Sequence, residues 1–404
     1  MTTVADTRPA VRNQRRLSRS VAFAAIAAVF VTFAAASAAP SPLYVVYQHL
    51  WGFSPTTLTV VFAVYVLGLI GALLTLGALS DHIGRRPVLA AAIALEATSL
   101  ALFLTAGDVT VLLVARLLQG IATGAALTTL GAALVDLNPP HAPGRAGLIN
   151  GIAPVAGLAV GALGCGALVQ FAPEPTHLVW ALLLAAMVLA GYVVARIPET
   201  SARRPGAVAS LAPRLGVPSR LRADVLALVP IIVASWAIGG LYLSLGPSVA
   251  AGVFGLTNHL VGGFVVTLLC GTGAITSYAM RKQPIPRVLT VAAALLTLGS
   301  VVSVLGLEWS SVTLAAVGTV ISGIGFGASA LASFGTLATL AAPHERGELL
   351  AVALVIAYTA FSVPAVIAGF AATSFGLHPV ALVYGVSVAV LGALALIAQR
   401  LRTR

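Results

Sequence analysis

The sequence predicts an all-α membrane protein whose twelve transmembrane helices form two pseudo-symmetric six-helix bundles. Three observations carry this. Of 404 residues, 59% are hydrophobic and 8% charged, with a mean hydropathy of +1.04, more apolar surface than a water-soluble chain of this length can bury. Basic residues recur in every second interval between long apolar runs. Finally, Gly120-Ile121-Ala122-Thr123-Gly124-Ala125 returns 203 positions later as Gly323-Ile324-Gly325-Phe326-Gly327-Ala328, and Pro140-His141 returns at the same offset as Pro343-His344.

Apolar runs of about 20 residues, the length that crosses a bilayer, fall at 21–46, 55–79, 88–106, 109–136, 147–171, 177–196, 226–250, 259–279, 288–306, 311–338, 349–373 and 379–398. They divide the chain into a basic tail (1–20), a first bundle (21–197), a linker (198–225), a second bundle (226–399) and a short tail (400–404). The linker holds Arg, Pro and Ser and predicts a connector without a packed core of its own.

Orientation follows from the cations. Arg8, Arg12, Arg15, Arg16 and Arg19 precede span one, and Arg85, Arg86, Arg145, Arg196 to Arg222, Arg281 to Arg287, Arg346 and Arg400 to Arg404 occupy alternate loops. The other loops hold Asp108, Glu174 and Glu308 and no Lys or Arg. Both termini are therefore expected in the cytoplasm, with the chain threaded through the plasma (inner) membrane. The net charge of +11 serves topology and contact with anionic lipid, which argues against a nucleic-acid partner.

Span one carries a decoy. Arg15-Arg16-Leu17-Ser18 before an apolar run, with Ala34-Ala35-Ala36-Ser37-Ala38 inside it, imitates a cleaved signal, but cleavage would remove most of a helix and leave an odd count. Pro40-Ser41 near its outer end is echoed by Pro247-Ser248 near the outer end of span seven.

Between spans two and three stands Gly77-Ala78-Leu79-Ser80-Asp81-His82-Ile83-Gly84-Arg85-Arg86. Gly77 and Gly84 permit close approach and a sharp turn, Asp81 can sit at a neighbouring helix N-terminus, and Arg85 and Arg86 anchor the loop at the membrane face. This spacing resembles the loop between helices two and three of the major facilitator superfamily of transporters. The resemblance implies that superfamily's twelve-helix fold, alternating access, a small-molecule substrate held between the halves at mid-membrane, and a monomer.

Span three contains Glu96, about 9 positions in and thus near the bilayer centre. Desolvation favours its neutral form and a nearby guanidinium its charged form, so substrate moving between them could switch its protonation. That proposal rests on physics alone, since the superfamily has no universal carboxylate there. A permanent structural pair is the alternative.

Span four supplies the guanidinium. Leu112-Leu113-Val114-Ala115-Arg116-Leu117-Leu118-Gln119-Gly120-Ile121-Ala122-Thr123-Gly124 resembles the superfamily's arginine-containing motif, carried here by Arg116, Gln119, Gly120 and Gly124. The resemblance places Arg116 toward the central cavity with a part in proton coupling; a cation bonded to span-one carbonyls is the structural alternative. Glu96 and Arg116 differ by only about 5 Å of depth, which makes a direct pair the expectation. Asp136, ending span four, resembles the acidic partner of the family's loop charge relay and would bind Arg85 or Arg86. Asp81 would then cap span eleven and latch the halves when the site opens outward.

Span five has Ala153-Pro154-Val155-Ala156-Gly157 followed by Gly161 and Gly164, a degenerate match to the glycine-proline element of efflux members. A kinked helix packed through Gly157 and Gly161 against the other bundle is expected. Cys165 and Cys270 lie inside apolar spans as small core residues.

The second half departs from the first. Met280-Arg281-Lys282-Gln283-Pro284 replaces the glycine and aspartate pattern, so one latch is expected, and spans seven to twelve have no charged residue in their interiors. Proton chemistry therefore belongs to the first half. Gly323 to Gly327 lacks the strand and lysine of a nucleotide loop, and His49, His177, His259 and His378 lack metal spacing, so neither cofactor nor metal is expected. In the resembling family spans one, four, seven and ten line the path, and their large groups are Phe33, Tyr44, Trp236, Tyr242 and Phe326. Aromatics with few fixed charges suit a lipophilic or weakly cationic substrate.

The function expected is proton-coupled export of hydrophobic small molecules. A sugar or metabolite permease is the rival, with Gln48 the start of a polar lining; a non-transporting scaffold or lipid-binding protein is the alternative from another class. No nucleophile and base converge to suggest an enzyme.

Overall fold

The computed structural model describes residues 16–402 apart from 143, 214 and 343–344. Arg8, Arg12 and Arg15 of the first tail, the end of the last tail, and the Pro343-His344 member of the repeat lie outside these residues.

Twelve helices long and apolar enough to cross a membrane are present among the described residues: Arg19–Trp51, Pro55–Leu76, Arg85–Leu104, Val109–Asp136, Arg145–Phe171, Pro175–Arg196, Ser219–Ser244, His259–Ala279, Ile285–Glu308, Val312–Leu337, Gly347–Phe375 and Leu377–Arg400. They are numbered as spans one to twelve. A helix satisfies its own backbone, which hydrocarbon demands. Four spans start on side-chain caps: Ser54 Oγ accepts from Thr57 N at 3.2 Å, Asp108 from Thr110 N at 2.7 Å, Asn258 from Leu260 N at 2.9 Å and Ser311 from Leu314 N at 3.4 Å. These precede spans two, four, eight and ten, and mark the far end of the bundle; span one starts at the near end.

Span one is broken into Arg19–Ala38 and Pro40–Trp51, because Pro40 has no N–H to continue the ladder. Span seven breaks likewise, into Arg222–Ser244 and Gly246–Gly252, with Pro247 in the second piece.

The repeated glycines are contact points. A β-carbon at Gly120 would strike the Tyr65 carbonyl, and one at Gly124 the Leu69 carbonyl; Gly323 and Gly327 meet the Leu269 and Gly273 carbonyls in the same way. Span four thus lies on span two as span ten lies on span eight, small residues letting backbones approach where lipid offers no hydrophobic drive.

The linker is partly ordered. Its last residues form a turn at Ser219–Leu221 and the first turns of span seven from Arg222, so part of 198–225 is helix. Its first residues are fastened to the loop between spans two and three, with Arg204 N donating to His82 O at 2.8 Å and His82 Nδ1 lying 2.9 Å from Pro205 O.

Hydrogen bonds between the halves run from mid-depth to the far end. Ser41 Oγ donates to Leu243 O at 2.7 Å, Thr56 Oγ1 lies 2.8 Å from Thr373 Oγ1, His259 N donates to Gln170 Oε1 at 2.9 Å, and Thr267 Oγ1 donates to Ala159 O at 3.0 Å. These bonds tie the two halves together at that end.

Candidate functional site

The helical period decides which side chains of the first bundle meet. Arg116 and Gln119 are three residues apart, hence neighbours on one face of span four, and that face turns into the bundle toward Glu96 of span three. Glu96 and Gln119 are 0% exposed and Arg116 2%. Arg116 Nη1 donates to Gln119 Oε1 at 2.5 Å and to Ser37 O of span one at 3.3 Å. Gln119 Nε2 donates to Glu96 Oε1 at 3.1 Å and to Ala36 O at 3.1 Å. The guanidinium, which can only donate, thereby orients the amide: Oε1 faces Arg116 and Nε2 faces the carboxylate.

This corrects the expected direct pair. Glu96 and Arg116 are at matching depth but do not bond to each other, because the amide occupies the space between them and serves both. The span-one carbonyl contact expected of a structural cation is also present, and the guanidinium carbon lies 4.3 Å from the centre of the Tyr65 ring. Tyr44 stands beside Arg116. Among the described residues, Glu96 Oε2 and Arg116 Nε are buried without a hydrogen-bond partner.

Across the interface the second half presents rings. Trp236 of span seven lies 4.9 Å from Tyr358, 5.9 Å from Phe361 and 6.4 Å from Phe334, centre to centre. Phe361 in turn lies 5.0 Å from Phe62 of span two. Trp236, Tyr358 and Phe334 are half-buried. Of the five aromatic cavity candidates only Trp236 sits in this wall. Phe33 and Tyr44 are 1% exposed and Phe326 5%, so they are packed rather than open to a cavity. Tyr242 bonds Thr319 at 2.8 Å and borders a space inside the second half. Tyr358, Phe361, Phe334 and Phe62 were missed because nothing in an apolar run marks which ring faces a partner half.

At the near end Arg85 is the hub. Its Nε donates to Asp136 Oδ2 at 3.1 Å, and its Nη1 lies 2.6 Å from Asp81 Oδ1 and 2.7 Å from Ser80 Oγ. Arg86 turns away and donates to Ala195 O at 2.6 Å. The anion of this cluster that sequence reasoning missed is Glu199: its oxygens accept from the N–H groups of Arg85 at 2.8 Å and Arg86 at 3.0 Å, capping span three from the linker. Gly84 makes room for it. Its backbone is at φ +103°, ψ 154°, and a β-carbon there would lie 2.8 Å from Glu199 Oε2. Gly77 ends span two.

Among the described residues the cap of span eleven by Asp81 is not formed. Asp81 pairs with Arg85 in its own loop, and span eleven starts without a side-chain cap hydrogen bond. In the second half Arg281 folds back on the Tyr278 ring, 3.7 Å from its centre.

Span five is corrected too. Gly157 and Gly161 face span one of their own bundle, where β-carbons would strike Ala34 and the Ala35 carbonyl. The other bundle is met by Ala159, Ala162 and Gly166, on the opposite side of a helix turning 3.6 residues per turn. Pro154 lies inside this helix.

Comparison with known proteins agrees with this architecture. Residues 21–302 match the family described as Major Facilitator Superfamily. Similar solved structures include a bacterial homologue of the human lysosomal transporter Spinster in an inward-facing, unoccupied conformation, at 14% identity and TM-score 0.74 over 95% of this chain and 97% of that one. Its occupied form matches at 13% and 0.71 over the same shares. The human organic anion transporter MFSD10 (TETRAN) matches at 18% and 0.68 over 94% of this chain and 100% of that one. With two glycine-matched halves, a loop cluster centred on Arg85 and a buried Arg116 in span four, the chain belongs to the Major Facilitator Superfamily of membrane transporters.

Proposed function

We propose that the protein exports hydrophobic or weakly cationic small molecules in exchange for protons across the plasma (inner) membrane, with the near end in the cytoplasm. The basic residues at that end support the orientation. The observation that carries the reading is the buried Glu96–Gln119–Arg116 relay in the first half, opposite an uncharged aromatic wall in the second.

The relay suits a proton carrier. Glu96 Oε1 is held by Gln119, while Oε2 has no partner and can take a proton without breaking that bond. Gain of the proton leaves Arg116 as the surplus cation of the cluster; loss of it restores the balance through the amide. Tyr65 covers the guanidinium and lies near Tyr358 of span eleven, so movement of the halves would alter the site in which the proton is held. The wall of Trp236, Tyr358 and Phe361 offers π-faces to a lipophilic cation.

The test is made in energised inside-out vesicles, recording collapse of the proton gradient as lipophilic cations, neutral drugs and sugars are added. Collapse on adding lipophilic cations to wild type and none in Glu96→Gln is the expected result. Collapse with sugars alone would replace this reading by a metabolite permease, and no response to any compound by intact protein would defeat coupling.

A further inference from the structure

The second half contains a space that the first half fills. Its counterpart in the first half is an aromatic plug: Phe103 and Trp180 stack at 4.3 Å between centres, and Trp180 Nε1 donates to Tyr47 Oη at 2.9 Å. The internal repeat says what became of these rings. In span nine Val288-Leu289 repeats Val88-Leu89 of span three, and buried Ala292 and Ala293 repeat buried Ala92 and Ile93. In that register Leu100 and Phe103 become Ser300 and Ser303. In span twelve buried Val380 and Val388 repeat Val179 and Met187 of span six, so Trp180 becomes Ala381. Span four and ten, at the offset of their glycines, exchange Arg116 for Thr319.

The replaced residues border one cavity. About 350 Å³ in volume, it lies among spans seven, eight, nine, ten and twelve toward the far end, and no residue of the first half lines it. Ser300, Ser303, Thr319 and Ala381 are in its wall, with Tyr242 and Phe254. No charged residue lines it among the described residues. Tyr242 and Thr319 bond each other and Tyr242 lies beside the Ser303 hydroxyl, whereas the Ser300 hydroxyl, in a residue 1% exposed, is buried with no hydrogen-bond partner among the described residues. A buried hydroxyl without a partner is costly, and a cavity of this size is within the range of small-molecule sites.

We propose that this cavity is a second binding site, separate from the central path, for a neutral lipophile carrying one hydrogen-bonding oxygen that meets Ser300 and Ser303. The absence of lining charge selects a neutral ligand, the apolar wall takes its body, and the two serines take its oxygen. The site stands independently of the coupling reading, because none of its walls belongs to the first half.

The test uses purified protein in lipid nanodiscs and a diazirine-bearing octanol as photoreactive probe, with adducts mapped by mass spectrometry. Saturable labelling of 246–256, 300–307 and 312–319, displaced by excess octanol, is expected. The Ser303→Phe, Ala381→Trp double variant, which restores the two rings of the first half, lowers that labelling at least tenfold while melting no lower than wild type. In case the double variant does not fold, Ser300→Ala keeps the shape and removes one hydroxyl; it weakens displacement by octanol about fivefold and leaves displacement by octane unchanged. Labelling that never saturates, that is equal in wild type and a folded double variant, or that is indifferent to Ser300→Ala overturns the proposal. Extraction of the purified protein separates the sources: a lipid retained by wild type and lost from the plugged variant identifies the bilayer as supplier, and saturable binding without retained lipid identifies a solute.

Discussion

Glu96 and Arg116 are linked through a third side chain rather than to each other, the Gln119 amide accepting from the guanidinium at 2.5 Å and donating to the carboxylate at 3.1 Å. In the proposed proton cycle, a bridge of this kind would link the two charges without a salt bridge that must be broken. It also makes the glutamine as consequential as the charges it joins.

Replacement of the bridge should therefore be felt twice. Gln119→Leu leaves Arg116 without its side-chain acceptor and Glu96 without its donor, each buried, at about 1–3 kcal/mol per unsatisfied group. A lower melting temperature in detergent and loss of substrate-driven proton movement are expected, with Gln119→Asn retaining more of the stability.

Gly84 is irreplaceable for two reasons that one variant tests together. Gly84→Ala puts a β-carbon both on a backbone conformation open essentially to glycine and against Glu199, and strain of the first kind alone costs about 1–3 kcal/mol. Thermal unfolding should show the loss. Removing the carboxylate with Glu199→Ala should destabilise the wild type, and in combination with Gly84→Ala the two costs should fall short of their sum, because the clash is relieved.

The paired glycines predict symmetric damage. Gly124→Val and Gly327→Val each drive a side chain into the backbone of a facing helix, and overpacking of this kind costs about 1–3 kcal/mol or more. Both should reduce folded yield in fluorescence-detected gel filtration to a similar degree. Gly164→Val, at a position with open space around it, should leave yield unchanged.

The far end can be locked. Thr56 and Thr373 approach to 2.8 Å across the halves, so the Thr56→Cys, Thr373→Cys pair should form a disulfide on oxidation. Transport in oxidised vesicles should stop and return on reduction. The native Cys165 and Cys270 are buried and free, so the parent protein should be insensitive to the same treatment.

The outline of this protein was legible in the chain because its causes are local. A bilayer demands about 20 apolar residues per crossing, basic residues sort by loop, and a duplicated half repeats its glycines, so span number and two-bundle construction follow from the order of residues. Gly84, Arg85 and Asp136 were recognisable because their spacing is a motif. What tertiary structure alone decided is which faces meet. Gly157 and Gly161 turned to their own bundle and Ala159 to the other; Gln119 came between Glu96 and Arg116; Tyr242 faced a cavity inside the second half; Glu199 reached span three from the linker. Each depends on helix rotation and partner choice, and in an apolar span every face is greasy enough for lipid or protein. Hydrophobic pattern, which orients a helix in water, has little contrast to offer there, and packing of small residues against backbones makes the choice instead.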